Sequence, residues 1–135
     1  MNGIYTVLKE DLMLGDVNLG NGGDTIKVAL YDDSHAFTAA DTVYTTDNEI
    51  SGTGYTAGGA TLAGQAVTAG TTTKFDGTDT AWTTATFTAY HAVLYDASNT
   101  NSLICSFDFG AGKEVTNGTF TIVWSADGIL TLASV

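Results

Sequence analysis

The sequence predicts an all-β protein, either an antiparallel β-sandwich or a related jelly-roll-like fold, with one short N-terminal helix or arm. Apolar and polar residues alternate along several short runs, as in strands with one buried face. β-Branched Thr and turn-forming Gly and Asn are abundant, whereas charged residues make up only 14% of the chain. No βαβ alternation is visible. We therefore expect a single domain over residues 1–135, with a helix or arm at 1–15 and a sandwich body at 16–135.

The N-terminal segment is the one helical candidate. Four apolar residues fall on one stripe of a helix, and a glycine follows them as a stop. An isolated helix of this length is marginal in water, so it must dock either on the domain's own sheet or on a neighbouring subunit, and we favour its own sheet. The four apolar residues are Ile4, Val7, Leu8 and Leu12, and the glycine is Gly15.

The same four apolar residues are candidates for contact with other subunits if the segment is an arm. Trp82 is a further candidate, since polar residues surround it and tryptophan is a common interface anchor. These five residues are the candidate contact site.

The sequence of residues 16–135 predicts short strands separated by turns. Four segments contain residues that tolerate positive φ, and the last two of them lie between alternating runs as hairpin turns would. These segments are Asn21-Gly22-Gly23, Asp76-Gly77, Asn117-Gly118 and Asp127-Gly128. The predicted strands cover residues 16–19, 25–31, 47–55, 60–68, 72–75, 86–96, 103–110, 118–125 and 129–132.

Alternation within these strands predicts the core. The strand around residues 90–95 is apolar on both faces, with Phe87 expected on the same face as His91, so we expect it to be covered on both sides. The predicted core residues are Ile26, Val28, Leu30, Leu103, Cys105, Phe107, Phe120, Ile122 and Trp124.

Cys105 is the single cysteine, which excludes an internal disulfide. Its position on an apolar face with Leu103, Phe107 and Phe109 predicts a small buried hydrophobe rather than a nucleophile or a metal ligand.

The charge balance argues against two classes of partner. The chain has fifteen acidic residues, four lysines and no arginine, which gives a net charge of -11. Proteins that bind nucleic acid neutralise phosphates with Lys and Arg, and anionic membranes attract basic segments. We therefore expect no nucleic-acid and no membrane partner. The N-terminal residues also lack the basic and apolar regions of a signal peptide.

Residues suited to catalysis are scarce. His91 falls within a strand, where a core histidine is usual, and His35 follows an acidic turn and is expected to be solvated. Neither Asp32-Asp33 nor residues 76–79 have the ligand spacing of a calcium loop, and the glycine-rich residues 51–59 lack the Lys-Ser/Thr of a phosphate loop. We expect no enzyme activity, no metal and no cofactor.

Several of these segments resemble a family of small structural proteins of tailed bacteriophage virions, similar to head decoration (cement) proteins that bind the outside of the capsid lattice. The resemblance spans roughly residues 24–132, and its most specific part is the string Ser-Gly-Thr-Gly-Tyr-Thr-Ala-Gly-Gly at residues 51–59. The other segments that carry it are residues 24–31, 44–46, 49–50, 62, 87–95, 107–110 and 118–124.

The resemblance implies a virion protein on the outer capsid surface, made in the bacterial host cytoplasm. Its partners would be the major capsid protein and copies of itself in a homo-oligomer, and it would need neither a catalytic residue nor a cofactor. A neck or tail component is the nearest alternative. A virion-surface adhesin or carbohydrate-binding module remains open as well, because exposed aromatic residues on a β-sandwich also stack on sugars.

Overall fold

The computed structural model describes residues 2–135 and confirms an all-β sandwich with one short N-terminal helix. A large antiparallel sheet has the strand order β1-β7-β6-β2-β3, and a small one has the order β4-β5-β8. The elements are β1 (Gly3–Ile4), α1 (Thr6–Leu14), β2 (Ile26–Tyr31), β3 (Ala60–Thr61), β4 (Ala66–Thr68), β5 (Thr72–Asp76), β6 (Thr80–Asp96), β7 (Ser102–Ile122) and β8 (Leu130–Ala133).

A long hairpin of β6 and β7 forms the centre of the large sheet. Its turn lies at residues 97–101, where Thr100 (φ 47) and Asn101 (φ 58) adopt the left-handed conformation. The carboxylate of Asp96 closes this turn by accepting the backbone N–H groups of Ser98 and Asn99. Side-chain to backbone bonds of this kind are a common way for aspartate to stabilise a turn.

The predicted hairpin turn at Asn117-Gly118 is wrong. Residues 102–122 form one continuous strand, and Asn117 (φ 45) lies at an irregularity where the pairing with β6 shifts. Its backbone N–H donates to Thr86 Oγ1 at 2.9 Å. Positive φ suits a bulge as well as a turn, so the Asn-Gly pair alone could not distinguish them. Asp127-Gly128 does form a turn, but β7 and β8 that flank it are not paired with each other.

Irregular pairing also changes which residues of β6 share a face. The register shifts between Ala89 and His91, so that Phe87 and Ala89 lie in the main core while His91 points to the opposite side of the sheet. The prediction that Phe87 and His91 share a face is therefore wrong. The prediction that this strand is covered on both sides is confirmed, since residues 91–96 are all buried.

Two apolar clusters lie on the two faces of the large sheet. Most of the predicted core residues are buried, although Phe107, Phe120 and Ile122 are only partly buried. The main cluster lies between the sheets and includes Ile26, Val28, Leu30, Ile104, Cys105 and Trp124. The second cluster, on the outer face, consists of Tyr5, Ala29, Tyr31, Val93, Tyr95 and Leu103.

Cys105 is free and fully buried, as its position predicted. Burial raises the pKa of its thiol, which disfavours the reactive thiolate. Leu103 belongs to the outer cluster and not to the face of Cys105, because the pairing of β6 and β7 shifts between Leu94 and Tyr95.

The N-terminal segment begins as a strand and not as a helix. Ile4 pairs with Cys105 of β7, and helix α1 begins only at Thr6. The helix ends at Gly15, whose φ of 77 supplies the left-handed conformation that the predicted stop requires.

Helix α1 packs on β7 of its own chain, which is the docking that we favoured. Tyr5 and Leu8 are buried, with Leu8 only 1% exposed. Leu12, Met13 and Leu14 are exposed, and Met13 reaches 90% exposure. The helix is therefore anchored through its first turns, and its C-terminal end faces solvent. In the described part of the chain, no helix combines the length and the apolar character needed to cross a membrane.

The long connection between β2 and β3 contains no strand, although one is predicted at residues 47–55. Isolated bridges pair it with the sheet at three places, with Val43 opposite Ser102, Glu49 opposite Tyr31 and Thr53 opposite Thr86. The strand predicted at residues 16–19 is also absent, because the carboxylate of Asp24 accepts the N–H of Asn18 and holds a loop there.

The carboxylate of Glu49 organises this connection. Its Oε2 accepts the hydroxyl of Tyr44 at 2.6 Å, and its Oε1 accepts the hydroxyl of Tyr55 at 2.6 Å and the N–H of Gly58 at 2.8 Å. The ring of Tyr44 stacks on Tyr95, with centroids 4.3 Å apart. Hydrogen bonds to an ionised acceptor are the stronger ones, so a single side chain ties both halves of the connection together.

Tyr55 extends this network into the sheet. Its hydroxyl also accepts the backbone N–H of Leu30 in β2 at 2.9 Å. Burial raises the pKa of Tyr55 and Tyr44, and the hydrogen bond to Glu49 raises it further. The stability that these tyrosines contribute is present below pH 10, their ordinary pKa, and is lost as the pH rises above it.

Replacing Leu8 by Ala tests the docking of α1. We expect a loss of about 2–4 kcal/mol of unfolding free energy, because the substitution leaves a cavity between the helix and β7. Met13→Ala removes an apolar side chain of similar size from the same helix but from an exposed position, so it should change stability by less than about 0.5 kcal/mol. Urea unfolding measures both, and equal losses would contradict the docking.

Replacing Glu49 by Gln tests the role of its charge. We expect a loss of about 1–2 kcal/mol, since the hydrogen bonds remain possible but lose the ionised acceptor. Removing the carboxylate charge should also lower the pKa of Tyr44 and Tyr55, which near-ultraviolet absorbance follows during an alkaline titration. Glu114→Gln, an exposed substitution on β7, is the control and should leave both the stability and the tyrosine titration unchanged.

Candidate functional site

The two histidines lie together on the outer face of the large sheet. His35 follows β2, His91 belongs to β6, and their ring centroids are 5.1 Å apart in an edge-to-face arrangement. His35 Nε2 lies 3.4 Å from Ser106 Oγ, and His91 Nδ1 lies 4.0 Å from Asp108 Oδ1. His35 is half-buried, which corrects the expectation that it is solvated. The packing of its ring against Tyr31, with centroids 4.7 Å apart, accounts for this burial.

Burial is the largest influence on the pKa of His35. It lowers the pKa of His35, and the neighbouring His91 lowers it further, while the carboxylates of Asp41 and Asp32 oppose the shift. The Nδ1 atom of His91 has no hydrogen-bond partner in residues 2–135, because 4.0 Å to Asp108 exceeds hydrogen-bonding distance.

A cavity of about 520 Å³ adjoins His35. It is lined by Tyr5, Tyr31, His35 and Asp41 among others. A serine beside a histidine is one element of nucleophilic catalysis, but Ser106 is fully buried and its hydroxyl cannot reach a substrate. The pair is therefore part of the packing of the outer face.

The predicted contact residues do not form one surface. Trp82 is only 6% exposed and packs between Tyr55 and Phe120, so its prediction as a surface anchor is wrong. The reason is the irregular pairing of β6 between Trp82 and Ala85, near Thr84 (φ 49), which directs the ring into the main core.

The other predicted contact residues belong to the N-terminal segment. Leu8 is buried, while Ile4 and Val7 are half-buried against the domain's own sheet. Leu12 is exposed and lies at the edge of a smaller apolar depression beside β8. Intersubunit contact through these four residues would be restricted to the exposed end of α1.

A different apolar surface lies along β7 on the side of the small sheet. We call it the aromatic groove and define it by the side chains that line it: Phe107, Phe109, Phe120, Ile122 and Trp124. It encloses about 530 Å³, and most of its lining is apolar. Its lining is more apolar than that of the cavity beside His35.

The rings in the aromatic groove hold one another in place. Phe107 and Trp124 have centroids 5.5 Å apart, and Phe109 and Phe120 have centroids 6.2 Å apart. Phe120 also contacts Phe87 of the main core at 5.1 Å. Pairs at these separations are favourable, so the groove is a preformed surface that continues the core outward. Val123, 73% exposed, lies at its rim.

The free edge of β7 lies beside the groove. Between residues 107 and 122, the side of β7 that faces away from β6 has no strand partner in the described part of the chain. Gly110 (φ 80) and Asn117 (φ 45) interrupt this edge at irregularities in the pairing. Bulges of this kind prevent regular strand addition, so contact at this surface would depend on the side chains of the groove and not on a continuous backbone ladder.

The groove could not be found from alternation alone. Period-two alternation correctly predicts that Phe107, Phe120 and Ile122 lie on the buried face of their strand. It does not predict how large the opposing sheet is. The strands β5 and β8 have five and four residues, whereas β7 has 21. The short strands cannot cover the length of β7, which leaves these side chains half exposed.

Comparisons with known proteins add no assignment. No protein-family model matches the chain, and neither the curated proteins nor the solved structures contain a significant match. Conclusions about function therefore depend on the sequence and geometry of this chain.

Replacing His35 by Gln tests the effect of burial on this histidine. Since its pKa is lowered by folding, the unfolded chain binds the proton more readily, and the wild type should lose stability as the pH falls below about 6.5. The melting temperature of His35→Gln should therefore fall less between about pH 7.5 and pH 5 than that of the wild type.

The control is Thr38→Gln, an exposed substitution in the same segment that keeps both histidines. Ionisable groups distant from the histidine pair are common to all three proteins, so their contribution to the pH dependence cancels in the comparison. The same pH dependence in wild type and His35→Gln would contradict the expected effect.

Proposed function

We propose that the chain is a structural protein of a tailed bacteriophage virion and acts as a decoration, or cement, protein on the outer capsid surface. Its partners in this proposal are the major capsid protein and further copies of the chain. The aromatic groove is the observation that carries the proposal, together with the resemblance of residues 24–132 to decoration proteins.

A cement protein needs a preformed surface that matches the assembled shell. Binding to the assembled lattice in preference to free subunits stabilises the shell by mass action and requires no reactive group. The aromatic groove suits such a contact, because its apolar rings are already ordered and would lose little conformational entropy on binding. A stable interface buries on the order of 800 Å² per partner, so residues around the groove would contribute as well.

Charge would affect this contact less than apolar burial does. The chain has four lysines in 135 residues, too few for a strong cationic patch. Binding through the groove should therefore depend only moderately on salt concentration.

The proposal is tested by adding purified protein to capsids that lack it. Wild type should bind saturably and raise the temperature at which the particles disrupt. Val123→Lys and Phe109→Ser change the rim and the wall of the groove, and each should weaken binding by about tenfold or more, equivalent to about 1.4 kcal/mol.

The matched control is Val43→Lys, which places the same charge at another exposed valine outside the groove. It should bind as wild type does. Equal binding by the groove variants would refute the role of the groove. Failure of the wild type to bind capsids, combined with saturable binding to a host glycan, would favour the adhesin or carbohydrate-binding alternative, for which the half-exposed rings are also suited. Binding to necks or tails in place of heads would relocate the protein within the virion.

A further inference from the structure

The small sheet has two edges that no other strand covers. Its order β4-β5-β8 leaves one side of β4 and one side of β8 unpaired within residues 2–135. In this part of the chain, the backbone hydrogen bonds made by loops and turns do not reach residues 130–133 of β8 either. An unpaired edge presents a row of backbone N–H and C=O groups with which another chain can pair.

The edge of β8 lacks the features that most often block such pairing. Lysine, proline and bulges are common protections of an edge strand. The residues of β8, Leu130–Ala133, include neither a charged residue nor a proline, and their register with β5 is regular. The free edge of β7 differs, because irregularities at Gly110 and Asn117 interrupt it. Backbone pairing with another chain is therefore open to β8 and not to β7.

The small sheet is also an uncharged part of an acidic chain. Neither residues 50–75 nor residues 128–135 include an Asp or a Glu. The strands of this sheet contain two charged residues, Lys74 and Asp76, which form an ion pair at 3.5 Å. Two copies that meet at this sheet would therefore bring no unpaired like charges together there, although each chain carries a net charge of -11.

Exposed apolar side chains lie beside the edge of β8. Leu132 is 64% exposed, and Val67 of β4 is 49% exposed. Both line a depression of about 370 Å³, which Leu12 of α1 and Val17 also line. Covering this depression would remove apolar surface from water, which is favourable.

We propose that β8 pairs antiparallel with β8 of a second copy of the chain across a two-fold axis, so that the two small sheets form one six-stranded sheet. A two-fold contact uses the same patch on both chains, so the patch must be complementary to itself. An uncharged antiparallel edge meets this condition. The inference rests on the proposed function only for the place where copies meet, which is the capsid surface.

The strand register restricts where the axis can lie. Residues that face each other across an antiparallel pair have side chains on the same face of the sheet. The two registers that pair most of β8 on this condition place the axis at Thr131 or at Leu132. Leu132 then lies opposite Leu130 of the second copy or opposite its own counterpart. In both registers an apolar pair forms at the junction, beside the depression.

The contact should be weak between free copies. A ladder on a four-residue strand contains only a few hydrogen bonds, and the acidic remainder of each chain repels the other. Copies that a capsid holds side by side have a high effective concentration, which favours a weak contact between them.

Sedimentation of the free protein tests the proposal. Raising the salt concentration from about 0.01 M to about 1 M shortens the Debye length from about 30 Å to about 3 Å, so self-association of the wild type should strengthen by about tenfold or more. Leu132→Lys should stay monomeric in both, because pairing would desolvate the new charge. Its melting temperature should match that of the wild type, since the side chain is exposed.

The matched control is Val43→Lys, which adds the same charge at an exposed valine outside the small sheet and should self-associate as the wild type does. Cysteine substitutions locate the axis. Directly opposed residues have Cα atoms about 4.5–5.5 Å apart, within disulfide range, so either Thr131→Cys or Leu132→Cys should cross-link on mild oxidation. Val43→Cys should not, and Cys105 is buried and does not compete.

Three results would overturn the proposal. The first is a wild type that stays monomeric at both salt concentrations, and the second is equal self-association by Leu132→Lys. The third is a monomeric wild type whose capsid binding is lost in Leu132→Lys, which would assign the edge to the capsid protein. The groove variants test capsid binding separately, so failure of the self-contact leaves the proposed function standing.

Discussion

The pairing of β6 with β7 is the interaction on which the rest of the structure depends. Strand β2 pairs with β6, β1 pairs with β7, and α1 packs on β7, so most of the large sheet and the helix are positioned by this one hairpin. Register shifts along the pairing change which side of the sheet the following side chains face. As a result, the same two strands supply side chains to the main core, the outer cluster and the aromatic groove.

The Glu49 network is the second constraint, and it acts where the chain has no regular strands. The connection from residue 32 to residue 59 cannot satisfy its backbone groups through a sheet ladder. Backbone hydrogen bonds to neighbouring segments, such as Ile50 N–H to Leu30 O and Tyr44 N–H to Asn101 O, satisfy part of them. The carboxylate of Glu49 adds a side-chain link by accepting two tyrosine hydroxyls and one backbone N–H, and Tyr55 connects it to Leu30 of β2. The segment that looks featureless in sequence, rich in Thr and Gly, is therefore held to the sheet by a charged group outside the glycine string.

The sequence predicted the fold class and much of the core, because period-two alternation records which face of a strand is buried. The bulges could not be predicted, because an Asn-Gly pair such as Asn117-Gly118 is equally compatible with a turn and with a bulge. Each bulge changes which side of the sheet the following residues face. Trp82 was predicted as a surface anchor from its polar neighbours, which do not report that the irregularity between Trp82 and Ala85 directs the ring inward.

The unequal sizes of the two sheets connect the fold to the proposed contact. A small sheet of short strands leaves part of the long β7 uncovered, and the uncovered side chains are aromatic. On a chain with a net charge of -11, long-range repulsion opposes association between free copies in solution. Association then requires a partner that matches the groove in shape and apolar character, and that supplies enough contact to overcome the repulsion. An ordered lattice that presents the same complementary site many times meets this requirement, whereas a second free copy of the chain brings the same charge with it.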